Sequence, residues 1–375
     1  MRRVETEDPT GVRLCLAGDV MTGRGIDQIL EHPGDPTLHE PWVSSASTYV
    51  ELAERRSGAL PRRVDPSYVW GEILAVLSEL DPDALIVNLE TAVSDVGDPW
   101  PGKGIHYRMH PANVGCLAAP GIDVAVLANN HVMDWSIVGL LRTLDVLRGA
   151  GIRTVGAGRD ADGAWAPVTV EVPGGRVLVM AGCVTSSGVM SSWAATPAHP
   201  GVALLPDLGD DTADQVSSLV ERHRAPGDVV VFSIHWGGNW GYEIPRAHRR
   251  FARALIRRGG VDVVHGHSSH HPLGVEVCDE RLIVYGCGDL LTDYEGIRAH
   301  EEYRGGLGGL FVPTRDRETG RLLRLEIVPT RVDRFRLVRP DRDEVRWLAG
   351  VLDRESRGFG TRVRLGENGV LVAER

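Results

Sequence analysis

The sequence predicts a layered α/β fold. Two observations carry this: strand-length apolar runs alternate with amphipathic helical stretches over most of the chain, and several of those runs end in polar residues of ligand type. In chain order the runs are Val12–Ala17, Ala84–Leu89, Val124–Leu127, Val177–Met180, Val229–Ile234 and Val261–Val264. Between them, Tyr68–Leu80, Ser136–Gly149, Thr212–His223 and Pro245–Arg258 have helical spacing. In the last of these, Arg246, Arg250, Arg253 and Arg257 share one side and Phe251, Ala254 and Leu255 another, which reads as a solvated basic face opposite an apolar one. From Gly274 the pattern changes. Val275–Cys278, Leu282–Tyr285, Gly309–Val312 and Leu322–Phe335 read as antiparallel strands of a sheet packed beside the first, with a helix to follow at Arg342–Arg354. Two segments lack a clear period: Glu31–Pro66, rich in Pro, Ser, Arg and His, and residues 97–110. Both are expected as insertions in one domain spanning 1–375, whose motif-bearing core covers residues 12–293.

Composition narrows the function. Lys+Arg is 41 against 51 Asp+Glu, a net charge of −10. A chain of that sign has no general positive field to gather phosphate backbones, so nucleic acid is not expected as a partner. Lys103 is the one lysine, a skew that reads as codon bias. The five cysteines (Cys15, Cys116, Cys183, Cys278, Cys287) are scattered, without a C-x-x-C pair, which argues against a disulfide framework or a zinc–thiolate site. Met1–Thr10 is charged, without an apolar core of signal-peptide length, and no run elsewhere reaches membrane-spanning length. A cytoplasmic protein without a membrane partner is therefore expected, its oligomeric state left open.

The chemistry gathers at strand ends. Leu14–Asp19, Leu85–Glu90, Val126–His131, Val231–His235 and Val263–His267 each pass from apolar to polar. In a parallel sheet those ends lie along one edge, so Asp19, Glu90, Asn130, His131, His235, His265 and His267 are expected to converge there. Singly, each reads as a cap, a turn former or a hydrogen-bonded structural histidine. Together they form a mixed oxygen and nitrogen set that is expensive to bury without a cation.

Gly18-Asp19, Asn88-Leu89-Glu90, Asn129-Asn130-His131, Ile234-His235-Trp236-Gly237 and His265-Gly266-His267 resemble the motifs of the CapA (poly-gamma-glutamate biosynthesis) family, within the calcineurin-like metallophosphoesterase superfamily. The resemblance spans roughly Val12 to Asp293. It implies a calcineurin-like four-layer α/β/β/α sandwich with a metal centre at the strand ends. Superfamily phosphoesterases hold one ion through an Asp-x-His motif and the second His of a His-x-His motif, and another through a bridging carboxylate, an Asn and two further His. Here Asp19-Val20-Met21 puts a thioether where the first His belongs. The resemblance then implies one divalent ion per chain (Ca, Mn or Zn), held by Glu90, Asn130, His235 and His265.

On that reading Asp19 and His267 are released as one acid/base pair and His131 with Asp134 forms another. Two proton carriers flanking one cation suit proton exchange at a peptide Cα. The expectation is therefore a metal-dependent epimerase with a peptide substrate, similar to the CapA-like enzymes that epimerise the C-terminal residue of lasso-peptide precursors. Its alternatives are a calcineurin-like phosphoesterase or hydrolase, and a non-catalytic CapA-like component of polymer biosynthesis. For the substrate, Trp236 and Trp240, with Trp135 and Trp193, are candidate walls of an aromatic pocket or core residues. Arg24 is a candidate carboxylate clamp or an ion-paired arginine. His270 and His271 read as loop or supporting residues, and Gly286-Cys287-Gly288-Asp289 as a turn.

Overall fold

A computed structural model describes residues 11–375, so the charged stretch Met1–Thr10 lies outside the described residues. Two sheets stack face to face. In the first, Arg362–Leu365, Leu371–Glu374, Leu322–Asp333, Leu307–Asp316, Gly11–Val20, Ala84–Leu89, Val124–Val126 and Arg153–Val155 follow one another in space. In the second the order is Val275–Cys278, Arg281–Val284, Val263–His267, Val229–His235, Gly175–Cys183 and Val168–Val172. Strands in both are apolar on successive residues because each is covered on two sides, as the burial of all six residues of Ala84–Leu89 and all seven of Val229–His235 requires.

The core between the sheets takes alternate residues from both, among them Leu14, Leu16, Val179, Val231, Val263 and Val284. The outer face of the second sheet presents Leu178, Phe232 and Ile283 to the helices Asp210–His223 and Arg246–Arg257, which bury Val216, Phe251 and Leu255 against them. Each such large side chain contributes roughly 1.5–3 kcal/mol of burial. Helices Ile73–Leu80 and Ser136–Gly149 cover the first sheet through Ile73, Val76, Leu140 and Leu147. The four-layer α/β/β/α sandwich is thus formed.

The tail differs from its expectation. Its strands do not make a sheet of their own: Val275–Cys278 and Arg281–Val284 extend the second sheet, while Leu307–Asp316 pairs antiparallel with Gly11–Val20, Leu16 facing Phe311. The reason is hydrogen bonding. Gly11–Val20 has a free side that a ladder must satisfy, and the tail supplies it. Tyr68–Leu80 divides into a 3₁₀ turn, Tyr68–Trp70, and the helix Ile73–Leu80, with Gly71 at φ 46° between them. The aperiodic stretch 31–66 contains the helix Ser47–Ser57, anchored by Tyr49, Val50 and Ala53. The basic stripe of Arg246–Arg257 is exposed and ion-paired: Arg250 meets Asp210, Arg253 meets Glu276 and Arg257 meets Asp279. No helix of the described residues is long and apolar enough to cross a membrane.

Candidate metal centre

The strand ends named above belong to two sheets rather than to one parallel edge. Gly11–Val20, Ala84–Leu89 and Val124–Val126 contribute from the first, Val229–His235 and Val263–His267 from the second, and the two sets face each other across the same end of the sandwich.

Asp19 stands at the middle. Its strand pairs in parallel on both sides at this level, with Asn88 opposite Asp19 on one flank and Asp289 opposite it on the other. The approach of Asp289–Leu291 needs Gly18, where a Cβ would lie 1.8 Å from the Gly288 carbonyl oxygen. Asn88 Nδ2 then donates to Asp19 Oδ1 at 2.7 Å and to Glu90 Oε2 at 3.0 Å, so one amide holds two carboxylates together. Asn129 holds Asn88 in turn, donating to its Oδ1 at 3.0 Å, and receives the His131 and Val132 amides on its own oxygen.

The second sheet supplies the imidazoles. His235 and His267 are direct neighbours on adjacent parallel strands, their Nδ1 atoms 2.7 Å apart. His235 Nε2 also lies 3.0 Å from Asn130 Oδ1. Asp19, His235 and His267 form one group whose ligand atoms lie within 4.8 Å of one another. Asp19, His270 and Asp289 form another, His270 Nδ1 being 2.8 Å from Asp289 Oδ1. Glu90 and Asn130 adjoin the first group through Asn88 and His235.

Three expectations are corrected here. His265 stands in neither ligand group: its Nδ1 meets Ser233 Oγ on the neighbouring strand at 3.0 Å and its Nε2 meets the Ala17 carbonyl oxygen of the first sheet at 3.0 Å, so both ring nitrogens are taken by the protein. His267, expected as a proton carrier, stands instead in a group of candidate ligands with Asp19 and His235. Met21 stands in neither group, while His270 and Asp289, expected as supporting and turn residues, form one with Asp19. The sequence reasoning missed both, although Gly288-Asp289 repeats the Gly18-Asp19 pattern and Asp289 opens a short strand, Asp289–Leu291.

Electrostatics favours a cation. Burial pushes the Asp19 carboxyl up to about 7, with the Asp289 charge adding to it. Burial and Asp19 raise Glu90 well above the carboxylate range, and burial raises Asp289. Burial also drives His235 and His267 well below the usual imidazole value, leaving neutral rings suited to coordination. His270 differs: burial opposes its charge, but Asp289 outweighs this and raises it. Asp19 Oδ2 and Asp289 Oδ2 are buried without any hydrogen-bond partner. Buried carboxylate oxygens left in that state are strongly unfavourable unless a positive ion meets them. The donor set therefore fits one or two divalent cations, and mixed carboxylate and imidazole ligands suit Mn, Fe or Zn better than Ca.

Beside the centre, His131 Nδ1 lies 2.6 Å from Asp134 Oδ2, and His131 Nε2 lies 3.7 Å from Glu90 Oε1. Asp134 also accepts from the Tyr107 amide at 2.6 Å and from the Lys103 ammonium. Burial lifts the Asp134 carboxyl to about 6 against the pull of Lys103, and burial with Lys103 holds His131 well below its usual value.

Arg24 is not free to clamp a substrate. It is buried, paired with Asp293 at 2.5 Å and Glu40 at 2.9 Å, and lies over the Tyr49 and Tyr107 rings. Trp236 is also structural: it is buried, stacks on His248 at 4.6 Å and donates to the Tyr285 carbonyl oxygen. Trp135 and Trp193 are buried as well. Trp240 alone of the four is partly exposed, and its ring lies 5.4 Å from that of His270 and 4.4 Å from that of His300.

Fold and site define a sandwich protein with an acidic, imidazole-rich centre at its strand ends. The chain belongs to the bacterial capsule synthesis protein family PGA_cap, which matches residues 13–294. Two proteins of Mycobacterium tuberculosis, from strains CDC 1551 / Oshkosh and ATCC 25618 / H37Rv, each bear the name "Probable polyglutamine synthesis accessory protein". Each is 45% identical over 358 residues, 95% of this chain and 94% of its own. The "PGA biosynthesis protein CapA" of Bacillus subtilis strain 168 is 25% identical over 299 residues, 80% of this chain and 68% of its own. Among solved structures, one described as a novel phosphatase from Mycoplasma pneumoniae aligns with a TM-score of 0.46 at 13% identity, covering 90% of this chain and 96% of its own. A hypothetical protein from Thermus thermophilus aligns at 0.45 and 15% identity, covering 85% and 98%.

Proposed function

We propose that this chain is an accessory protein in the synthesis of a poly-amino-acid of the polyglutamate or polyglutamine type, and that it acts on peptide-like chains through a metal-dependent hydrolytic centre. The polymer class is supported by the names of the relatives just given. The chemistry rests on one observation: Asp19 belongs to two ligand groups at once, with orphaned carboxylate oxygens on Asp19 and Asp289. That arrangement suits two cations sharing a carboxylate, and hydrolysis profits from such a pair. Cations bound there would stabilise negative charge developing on the scissile group. His131 is placed to pass a proton through Nε2, on the side facing Glu90, while Asp134 holds its Nδ1.

The epimerase reading needs Asp19 and His267 as uncommitted proton carriers, and both stand in a ligand group instead. Hydrolysis is the better-supported chemistry.

The deciding experiment incubates metal-loaded protein with polyglutamate and polyglutamine chains in heavy water, and separately in ¹⁸O-labelled water, followed by mass spectrometry. The expected result is chain shortening with solvent oxygen at the new terminus, lost on chelation and in Asp19→Asn. Deuterium at a Cα without cleavage would replace hydrolysis with epimerisation. Polymer unchanged in every respect, with polymer production in cells insensitive to Asp19→Asn, would leave the non-catalytic accessory role.

A further inference from the structure

The segment 97–110 has no period in the sequence, yet it is fastened to one place. Trp100 N donates to the Asp134 carbonyl oxygen at 2.8 Å, Tyr107 N donates to Asp134 Oδ2 at 2.6 Å, and the Tyr107 ring meets His131 edge-on at 4.4 Å. Lys103 completes the attachment. Its ammonium donates to Asp134 Oδ1, lies 3.0 Å from His131 Nδ1, and donates to the Ile105 carbonyl oxygen at 3.2 Å. The side chain is 10% exposed, so the ammonium is held where desolvation disfavours it.

The composition sharpens this. Position 103 is the one place among 41 basic residues where the chain uses lysine rather than arginine. A general preference for arginine explains the other forty, and a need for charge alone would be met by arginine here too. What lysine offers is a compact tetrahedral donor, able to reach acceptors arriving from three directions. The planar guanidinium fork presents its donors in one plane and needs more room.

We propose that Lys103 is the positioning residue of the His131–Asp134 pair: held over the pair by the 97–110 segment, its ammonium fixes Asp134 and through it the ring of His131, whose Nε2 faces Glu90. This rests on the reading of His131 and Asp134 as the proton-transfer pair. Lys103 donates to Asp134 Oδ1 and to the Ile105 carbonyl oxygen, and touches neither ligand group. Its role is geometric: a histidine that rotates away from the centre delivers its proton to the wrong place, and small misplacements of a reacting group are costly in rate.

A single lysine allows a direct test on the full-length chain. Labelling with ¹⁵Nζ-lysine gives one side-chain resonance. The expected signal is an ammonium protected from solvent exchange in the wild type, with protection lost in Asp134→Asn. A freely exchanging ammonium in the wild type overturns the proposal whatever the reaction turns out to be, and whether or not any variant folds. Where the hydrolytic assay gives turnover, Lys103→Met and Lys103→Arg are expected to retain bound metal, to lose about tenfold or more in kcat, and to keep KM within about twofold. Turnover equal to wild type in Lys103→Met overturns it. Failure of the hydrolytic reading leaves the resonance arm intact, so the two failures are told apart.

Discussion

His265 and His267 lie two residues apart on Val263–His267, so their side chains share one face of the strand but sit at depths that differ by roughly 6–7 Å. That offset decides their roles. His267 lies beside Asp19 and His235 at the strand end, while His265 stays deeper between the sheets, bonded to the Ser233 hydroxyl and to the Ala17 carbonyl oxygen. His270, beyond the strand end, turns back to Asp289. Substitution separates the three. His267→Ala and His270→Ala are each expected to lower the divalent metal retained after dialysis, measured by elemental analysis. His265→Asn is expected to keep the metal and to lose about 1–3 kcal/mol of stability in urea unfolding, the penalty of leaving a buried partner unsatisfied. Equal metal loss in His265→Asn and His267→Ala would reverse the assignment. The histidines were legible as a cluster from their spacing, but which of them reaches Asp19 depends on how far the strand runs, and the Val261–Val264 expectation ended that strand three residues early.

At the scale of elements, periodicity located what local packing dictates. Ser136–Gly149 matches its expectation, and Asp210–His223 and Arg246–Arg257 differ from theirs by a residue or two. Ser47–Ser57 escaped because its buried face is only Tyr49, Val50 and Ala53, too narrow a stripe to stand out against charged neighbours. The C-terminal helix Arg342–Ser356 opens on a capping box between Asp341 and Glu344 and is tied at its far end to the strand Arg362–Leu365. There Asp353 accepts from Arg357, from Arg362 and from the Val363 amide. These hydrogen bonds, that with Arg362 first, hold its carboxyl well below the ordinary value of 3.8. A depressed carboxyl contributes stability above its unfolded value and loses that contribution as pH falls through the folded one. Asp353→Asn is therefore expected to destabilise by about 1–3 kcal/mol at neutral pH, with the difference from wild type shrinking below about pH 4. A difference that stays constant from pH 7 to pH 3 in denaturant titrations would remove this account.

For the molecule as a whole, the two sheets must keep their register or the two halves of the centre separate. Besides the apolar core and the contact of His265 with the Ala17 carbonyl oxygen, a second polar tie spans them. Arg315, on Leu307–Asp316 of the first sheet and fully buried, donates to the Asp262 carbonyl oxygen at 3.0 Å and to its Oδ1 at 3.1 Å, at the entry to the second sheet. Arg281 binds the same oxygen at 2.9 Å, and Val230 N takes the other. Arg315→Met leaves a buried carboxylate with fewer partners and is expected to destabilise by about 3–5 kcal/mol, with weakened metal retention although the site lies elsewhere. Stability within about 1 kcal/mol of wild type would contradict this. A cation at a hundred times its Kd is in turn expected to add about 2.7 kcal/mol to thermal or denaturant stability, and chelation to remove it. By itself the sequence determined the α/β class, the alternation of strands and helices, and which residue types gather at strand ends, because each follows from the period of apolar residues along a continuous segment. Only the tertiary structure decided that the tail strands join both sheets, that His270 and Asp289 rather than Met21 accompany Asp19, and that Arg24 and Trp236 are spent inside the protein. Those outcomes turn on which distant segments share hydrogen bonds and how deep each side chain comes to lie, and neither is a property of local spacing.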